Sequence, residues 1–222
     1  PLAVPPGQQD ALLTLDLVLR VELPRPIRVI VLGRLQVLLP DQSHPLIQIR
    51  MDALGVLDVS AETVALDATL YDSRILQFTL TGDMALRAGW GRQPQFVLAI
   101  GGFHPRFAAP PGLPALKRLA LQLADGDSLQ LRCQAYVAVT SNTVQFGARV
   151  DLHAAGGGFS FDGMLGFDAL IQLAPFAFEV EVGAALALRY HGRLLMGISF
   201  KGRLAGPTPW HVEGKAKISL LF

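Results

Sequence analysis

The chain has 222 residues, of which 51% are apolar and only 17% charged, with a formal net charge of +1. That charge leaves no electrostatic footprint for nucleic acid or an anionic membrane, and no Lys/Arg run is interleaved with aromatics. A soluble domain carries about 25% charged residues, so the shortfall calls for a large core, a covered partner surface, a lipid-facing surface or excision from a larger assembly.

Pro1 to Gln9 is a Pro/Gly/Gln lead-in without periodicity. It opens on Pro1, carries no basic n-region or signal-type apolar segment, and points to a piece cut from a longer protein. The first strand is explicit, with Leu13, Leu15, Leu17, Leu19, Val21 and Leu23 alternating against Thr14, Asp16, Val18, Arg20 and Glu22. Pro24 and Pro26 end it, because proline cannot donate to a ladder. Ile27 to Leu39 is apolar on both parities, which marks a strand buried on both faces or facing a ligand on one.

After the Pro40–Pro45 turn, short strands are predicted at Leu46–Met51, Val56–Ser60, Val64–Tyr71, Ile75–Leu80, Met84–Ala88 and Phe96–Ile100. Gly101 to Pro114 is the one strong break, rich in Gly and Pro, and 101–115 is the candidate seam within a single 1–222 domain. Leu116–Asp125 fits a helix started by Pro114 or a strand; the strand is preferred because Asp125-Gly126 is a hairpin signal. Leu129, Leu131, Cys133, Ala135, Val137 and Val139 then alternate, and Cys133, the one cysteine, is expected to point inward as a small hydrophobe. Turns at Ser141-Asn142, Gly156-Gly157-Gly158, His191-Gly192 and Gly206-Pro207-Thr208-Pro209 separate four further alternating segments, beginning near Val144, Phe159, Phe176 and Leu194, from a last one beginning at Trp210.

The cleanest alternation starts at Phe176. Phe176, Phe178, Val180, Val182, Ala184, Leu186 and Leu188 share one parity, and Glu179, Glu181 and Arg189 the other. No helix can separate the two sets this way. About a dozen strands in hairpin order, several of them long, predict an all-β fold. The expected architecture is a long antiparallel meander forming a strongly curved sheet, groove or barrel.

Chemistry-bearing constellations are sparse. Asp151 and His153 share a face with Arg149 and Gln145, which on an amphipathic strand reads as solvated surface. Glu179 and Glu181 stand about 6–7 Å apart on one strand, a separation glycosidases use, but without a second strand to bracket a substrate. The five histidines are scattered, so no metal ligand set is expected. Gly156-Gly157-Gly158 lacks the Lys-Ser/Thr of a phosphate loop, and Asp125-Gly126-Asp127 has the composition of a turn. No catalytic residue, cofactor site or metal site is assigned, and the chain is expected not to be an enzyme.

The small residues Gly183, Ala184, Ala185, Ala187, Gly197, Gly202 and Gly214 suit a bent sheet, or a concave face lined by lipid. Ala216, Ile218, Leu220 and Phe222 alternate into a terminal Phe, similar to the closing strand of an outer-membrane barrel.

Gly101-Gly102-Phe103-His104-Pro105, Thr140 to Gly147 (TSNTVQFG), Gly166-Phe167-Asp168-Ala169-Leu170 and Gly206 to His211 (GPTPWH) resemble a family of large, uncharacterised bacterial proteins carrying a β-rich domain of unknown function. Asp67 to Arg74 (DATLYDSR) looks similar to the same family. The resemblance implies a segment of something longer and assigns no activity.

The expected function is therefore a β-rich module with an apolar face of Phe146, Phe159, Phe161, Phe176, Phe178, Val180, Leu186, Leu188, Trp210 and Phe222. That face would meet lipid or another hydrophobic ligand, as a groove, or be the core of a scaffold module packed on neighbouring segments or on a second copy. An outer-membrane-type barrel is the further alternative. Burial energetics predict that the aromatic parity turns inward while Glu179, Glu181, Lys215 and Lys217 face water.

Overall fold

The computed structural model describes residues 13–92 and 94–221. The lead-in Pro1–Gln9 and the site candidate Phe222 lie outside them. Among the described residues there is no helix, and the fifteen strands pair antiparallel, as the alternation demands. In chain order they are β1 (Leu13–Glu22), β2 (Arg28–Leu39), β3 (Ile47–Asp58), β4 (Thr63–Leu70), β5 (Ser73–Ile75), β6 (Phe78–Thr81), β7 (Asp83–Gly89) and β8 (Gln95–Ile100). There follow β9 (Leu119–Asp125), β10 (Leu129–Thr140), β11 (Thr143–Gly156), β12 (Phe159–Gln172), β13 (Ala177–Tyr190), β14 (Arg193–Gly206) and β15 (His211–Leu220).

The chain divides into two compact units, Pro1–Gly102 with Pro110–Leu119, and Phe103–Ala109 with Ala120–Phe222. The first holds the meander β1-β2-β3-β4, continued by β7 and β8, with the β5–β6 hairpin pairing to β3. Its buried apolar residues are Leu38, Ala68, Ala85, Val97 and Ala99. The second runs β9 to β15 in strict sequence order, each strand pairing with the next. Its buried residues include Ala120, Tyr136, Ala138, Thr143, Gln145 and Ala169, together with His104 from the Phe103–Ala109 segment.

Two expected boundaries differ. Leu46–Met51 and Val56–Ser60 form the single strand β3, because Asp52 to Gly55 stay in register with both β2 and β4. Gly55 does not break the ladder: it is paired with Val31 on β2 and Leu66 on β4. Ile75–Leu80 instead splits into β5 and β6, with Ile75 paired to Phe78 across a tight turn. The turn is set by Leu76 in the left-handed region at φ 57°, a conformation a leucine does not advertise.

A charge-assisted node closes the β3–β4 turn. Asp58, paired in register with Arg28, accepts a 2.5 Å hydrogen bond from Arg28 Nε and a 2.8 Å bond from the Ala61 backbone N–H. The Arg28 bond, then the Ala61 bond, holds the Asp58 carboxyl below its usual range. A carboxyl depressed in the folded state stabilises it above the unfolded value of ~3.9, and the contribution is lost as pH falls through the folded value. Asp58→Asn should therefore lower the Tm at pH 7. Thermal melts should show that gap narrowing below pH ~3.9 and closing once the wild-type carboxyl is protonated.

Candidate functional site

The registers of β10 to β15 align one parity into a continuous face. Val137 lies opposite Phe146, and Phe146 opposite Ala169. Leu165 faces Val150 on one side and Ala184 on the other, and Ala184 faces Phe200. Leu186 lies between Gly163 and Ile198, and Ile198 opposite Ile218. From Leu129 on β10 to Leu220 on β15 every residue of this face is apolar or glycine, apart from Tyr190 and Arg193 at the β13–β14 turn. At that same end a register shift at Leu188/Arg189 brings Arg193 opposite Tyr190.

This face is open, which corrects the expected orientation. Leu186 is 46% exposed, Trp210 61%, Ile218 69% and Val212 78%. Phe146, Phe159 and Phe176 are likewise exposed, while Phe161, Phe178, Val180 and Leu188 are half-buried by their neighbours on the same face. Cys133 lies on this parity, half-buried, rather than within a core. Five inter-strand gaps of ~4.8 Å and twelve residues of ~3.4 Å make a surface of about 1,000 Å². The largest apolar patch of an ordinary monomer is about 300–600 Å².

Aromatics gather at both ends of the face. At one end Phe159 tilts on Tyr190 at 4.6 Å between ring centroids. At the other Phe178 meets Phe176 at 6.3 Å and Trp210 edge-on at 5.3 Å. Gly206 makes that last contact possible, since a Cβ there would meet both rings at 3.1–3.2 Å. Phe146 and Phe167 form an edge contact mid-face at 6.2 Å. The face also includes Val137, Leu165, Phe167, Val182, Ile198, Phe200, Val212 and Ile218, beyond the residues expected from the sequence, and the same parity signal marks all of them.

The opposite parity carries the charge, and it is the more covered side. The Glu179 side chain is only 16% exposed. Its Oε2 accepts from Arg203 Nε at 3.1 Å and Nη2 at 2.6 Å, and its Oε1 pairs with Arg106 Nη1 at 2.9 Å. Arg106 also pairs with Glu181, and the Glu179 hydrogen bond raises the Arg203 guanidinium above its usual value. These arginines are the partners that the burial argument did not count, so the carboxylates need not face water. Lys215 and Lys217 do face it.

The Phe103–Ala109 segment lies on this covered side. Its His104 N–H donates to buried Gln145 at 2.9 Å, and Arg106 N–H donates to His104 Nδ1. Tyr136 crosses to donate to Asp168 at 2.8 Å. Gly147 sits between that pair in register, and a Cβ there would fall 2.5 Å from the Tyr136 ring and 2.8 Å from a backbone oxygen. Asp151 and His153, neighbours on one face of β11, do not pair with each other. Asp151 binds Arg149, while His153 Nδ1 lies 2.6 Å from Asp162 Oδ1. Among the described residues no group of three or more His, Cys, Asp or Glu is placed to hold a metal ion.

The chain belongs to DUF6603, a family of unknown function. The DUF6603 match covers residues 6–222, both units alike. No curated protein and no solved structure matches the chain.

The facing has a direct mutational signature. Leu186→Asp, at an open position, should leave the circular dichroism spectrum and Tm of the folded protein near wild type. Glu179→Gln leaves Arg106 and Arg203 short of charge and should lower the Tm by roughly 3 °C or more.

Proposed function

We propose that this chain is a non-enzymatic lipid-contacting β module, whose β10–β15 apolar face lies against acyl chains. The observation that carries the reading is the strict partition across six strands. An uncharged surface of about 1,000 Å² in water is costly at ~25 cal/mol per Å², and lipid removes that cost without requiring a shape-matched partner.

Two features favour acyl chains over a protein face. Phe178 and Tyr190 stand twelve residues apart on β13, about 40 Å along the strand at ~3.4 Å per residue. At the ~45° tilt common for strands in membranes that length projects to about 28 Å, close to the ~30 Å hydrocarbon thickness of a bilayer. Tyr190 and Trp210, the rings with a polar handle, lie at opposite ends of the face, as rings do when one end is apolar and the other wet. The net charge of +1 makes the contact hydrophobic rather than electrostatic.

Flotation with neutral phosphatidylcholine vesicles tests this, together with lipid mass spectrometry of gently purified protein. Wild type should float, keep floating at high salt, and carry glycerophospholipid. The double variant Leu186→Asp/Ile198→Glu should stay folded and lose both properties. Absence of lipid and of flotation, with self-association abolished by the same double variant, would replace this reading with that of a scaffold module.

A further inference from the structure

The covered parity of the second unit is not uniformly filled. A groove of about 720 Å³ opens on it, spanning β9 to β13. Its lining mixes short and apolar residues (Ala185, Ala187, Met164) with polar side chains from β9 to β13.

The groove's charges are not equivalent. Asp151 is committed, because Arg149 Nε reaches both carboxylate oxygens at 2.9 Å and Nη2 reaches Oδ1 at 2.7 Å. Those bonds raise the Arg149 guanidinium, as expected of a closed pair. Asp162 is committed as well, with Arg189 on Oδ2 and His153 on Oδ1. Gln122 spends its amide on the Ala124 carbonyl at 2.6 Å. Arg132 is different. It lies opposite Asp151 in register, but Asp151 is already held by Arg149, and Arg132 has no hydrogen-bond or ion-pair partner among the described residues. Gln130 and Gln134 flank it at i−2 and i+2 on the same face of β10 and offer uncommitted amides to the same space. Asp125 is the opposing charge, exposed on the wall formed by β9.

We propose that this groove is a binding site for a small organic oxyanion, a phosphate monoester or a carboxylate, anchored by Arg132. The planar guanidinium presents a fork of donors that matches either group bidentately, and two amides on alternating positions extend the donor row. The short alanines of the lining accommodate the ligand's apolar body. The two closed Arg–Asp pairs wall the site without competing for the anion. The anchoring side chains Gln130, Arg132 and Gln134 belong to the parity opposite the lipid-contacting one, and the proposal does not depend on that reading.

The test is a low-salt NMR titration with phenyl phosphate and, separately, benzoate, following the backbone amides of Gln130 to Gln134. At least one probe should give saturable shifts, and the tighter of the two identifies the oxyanion class. Arg132→Gln should weaken binding at least tenfold with an otherwise native amide spectrum. Asp125→Asn should tighten it at least twofold by removing the opposing charge. Absence of saturable shifts with either probe overturns the proposal, and so does an Arg132→Gln affinity within twofold of wild type.

Discussion

Strand parity is the constraint on which the second unit depends. With side chains alternating at period two, each strand has only two ways to present its residues, and each hairpin register transmits that choice to the next strand. Val137, Phe146, Leu165, Ala184, Phe200 and Ala216 sit on separate strands yet on one side, because five successive registers preserve phase. A slip of one residue in any of them would throw a row of charges among aromatics. The bulge between Leu188 and Arg189 falls at the extreme end of β13, where a change of phase affects only the turn.

The side that carries the charge is also the side that the chain covers. An ordinary sheet buries its apolar face and wets its polar one. Here Glu179 is shielded by Arg106 and Arg203, Gln145 receives the His104 amide, and Tyr136 passes over Gly147 to reach Asp168. Such contacts hold because each acceptor is matched by a donor, so desolvation is offset pair by pair. Hydrophobic burial within this unit is correspondingly modest, and its most buried residues are alanines, a tyrosine and polar groups.

Much of this was legible in the sequence. Alternation alone gave the all-β class, the hairpin order and the membership of the apolar face, because period two is visible without tertiary information. Leu76 defeated it locally, since the turn there comes from backbone geometry imposed by the β5–β6 pairing rather than from a Gly or Asn. The facing is hidden from the sequence for a different reason. Glu179 and Glu181 look unpartnered when only their own strand is considered, and Arg106 lies 73 positions before Glu179 in a Pro/Gly-rich stretch with no periodicity. The polar groove was equally out of reach, because it depends on which carboxylate each arginine takes, and strand spacing does not encode that.

The lysines of β15 have a consequence for how the sheet can grow. Among the described residues β15 pairs with β14 alone, leaving the other row of its backbone groups free to template a further strand. A second copy docking antiparallel about Ala216 would set Lys215 against Lys217 twice over, and like charges directly opposite are destabilising. An incoming strand with acidic residues at those two positions would meet attraction instead. At this edge the two side chains would therefore disfavour pairing with a second copy in that register and suit a strand of opposite charge.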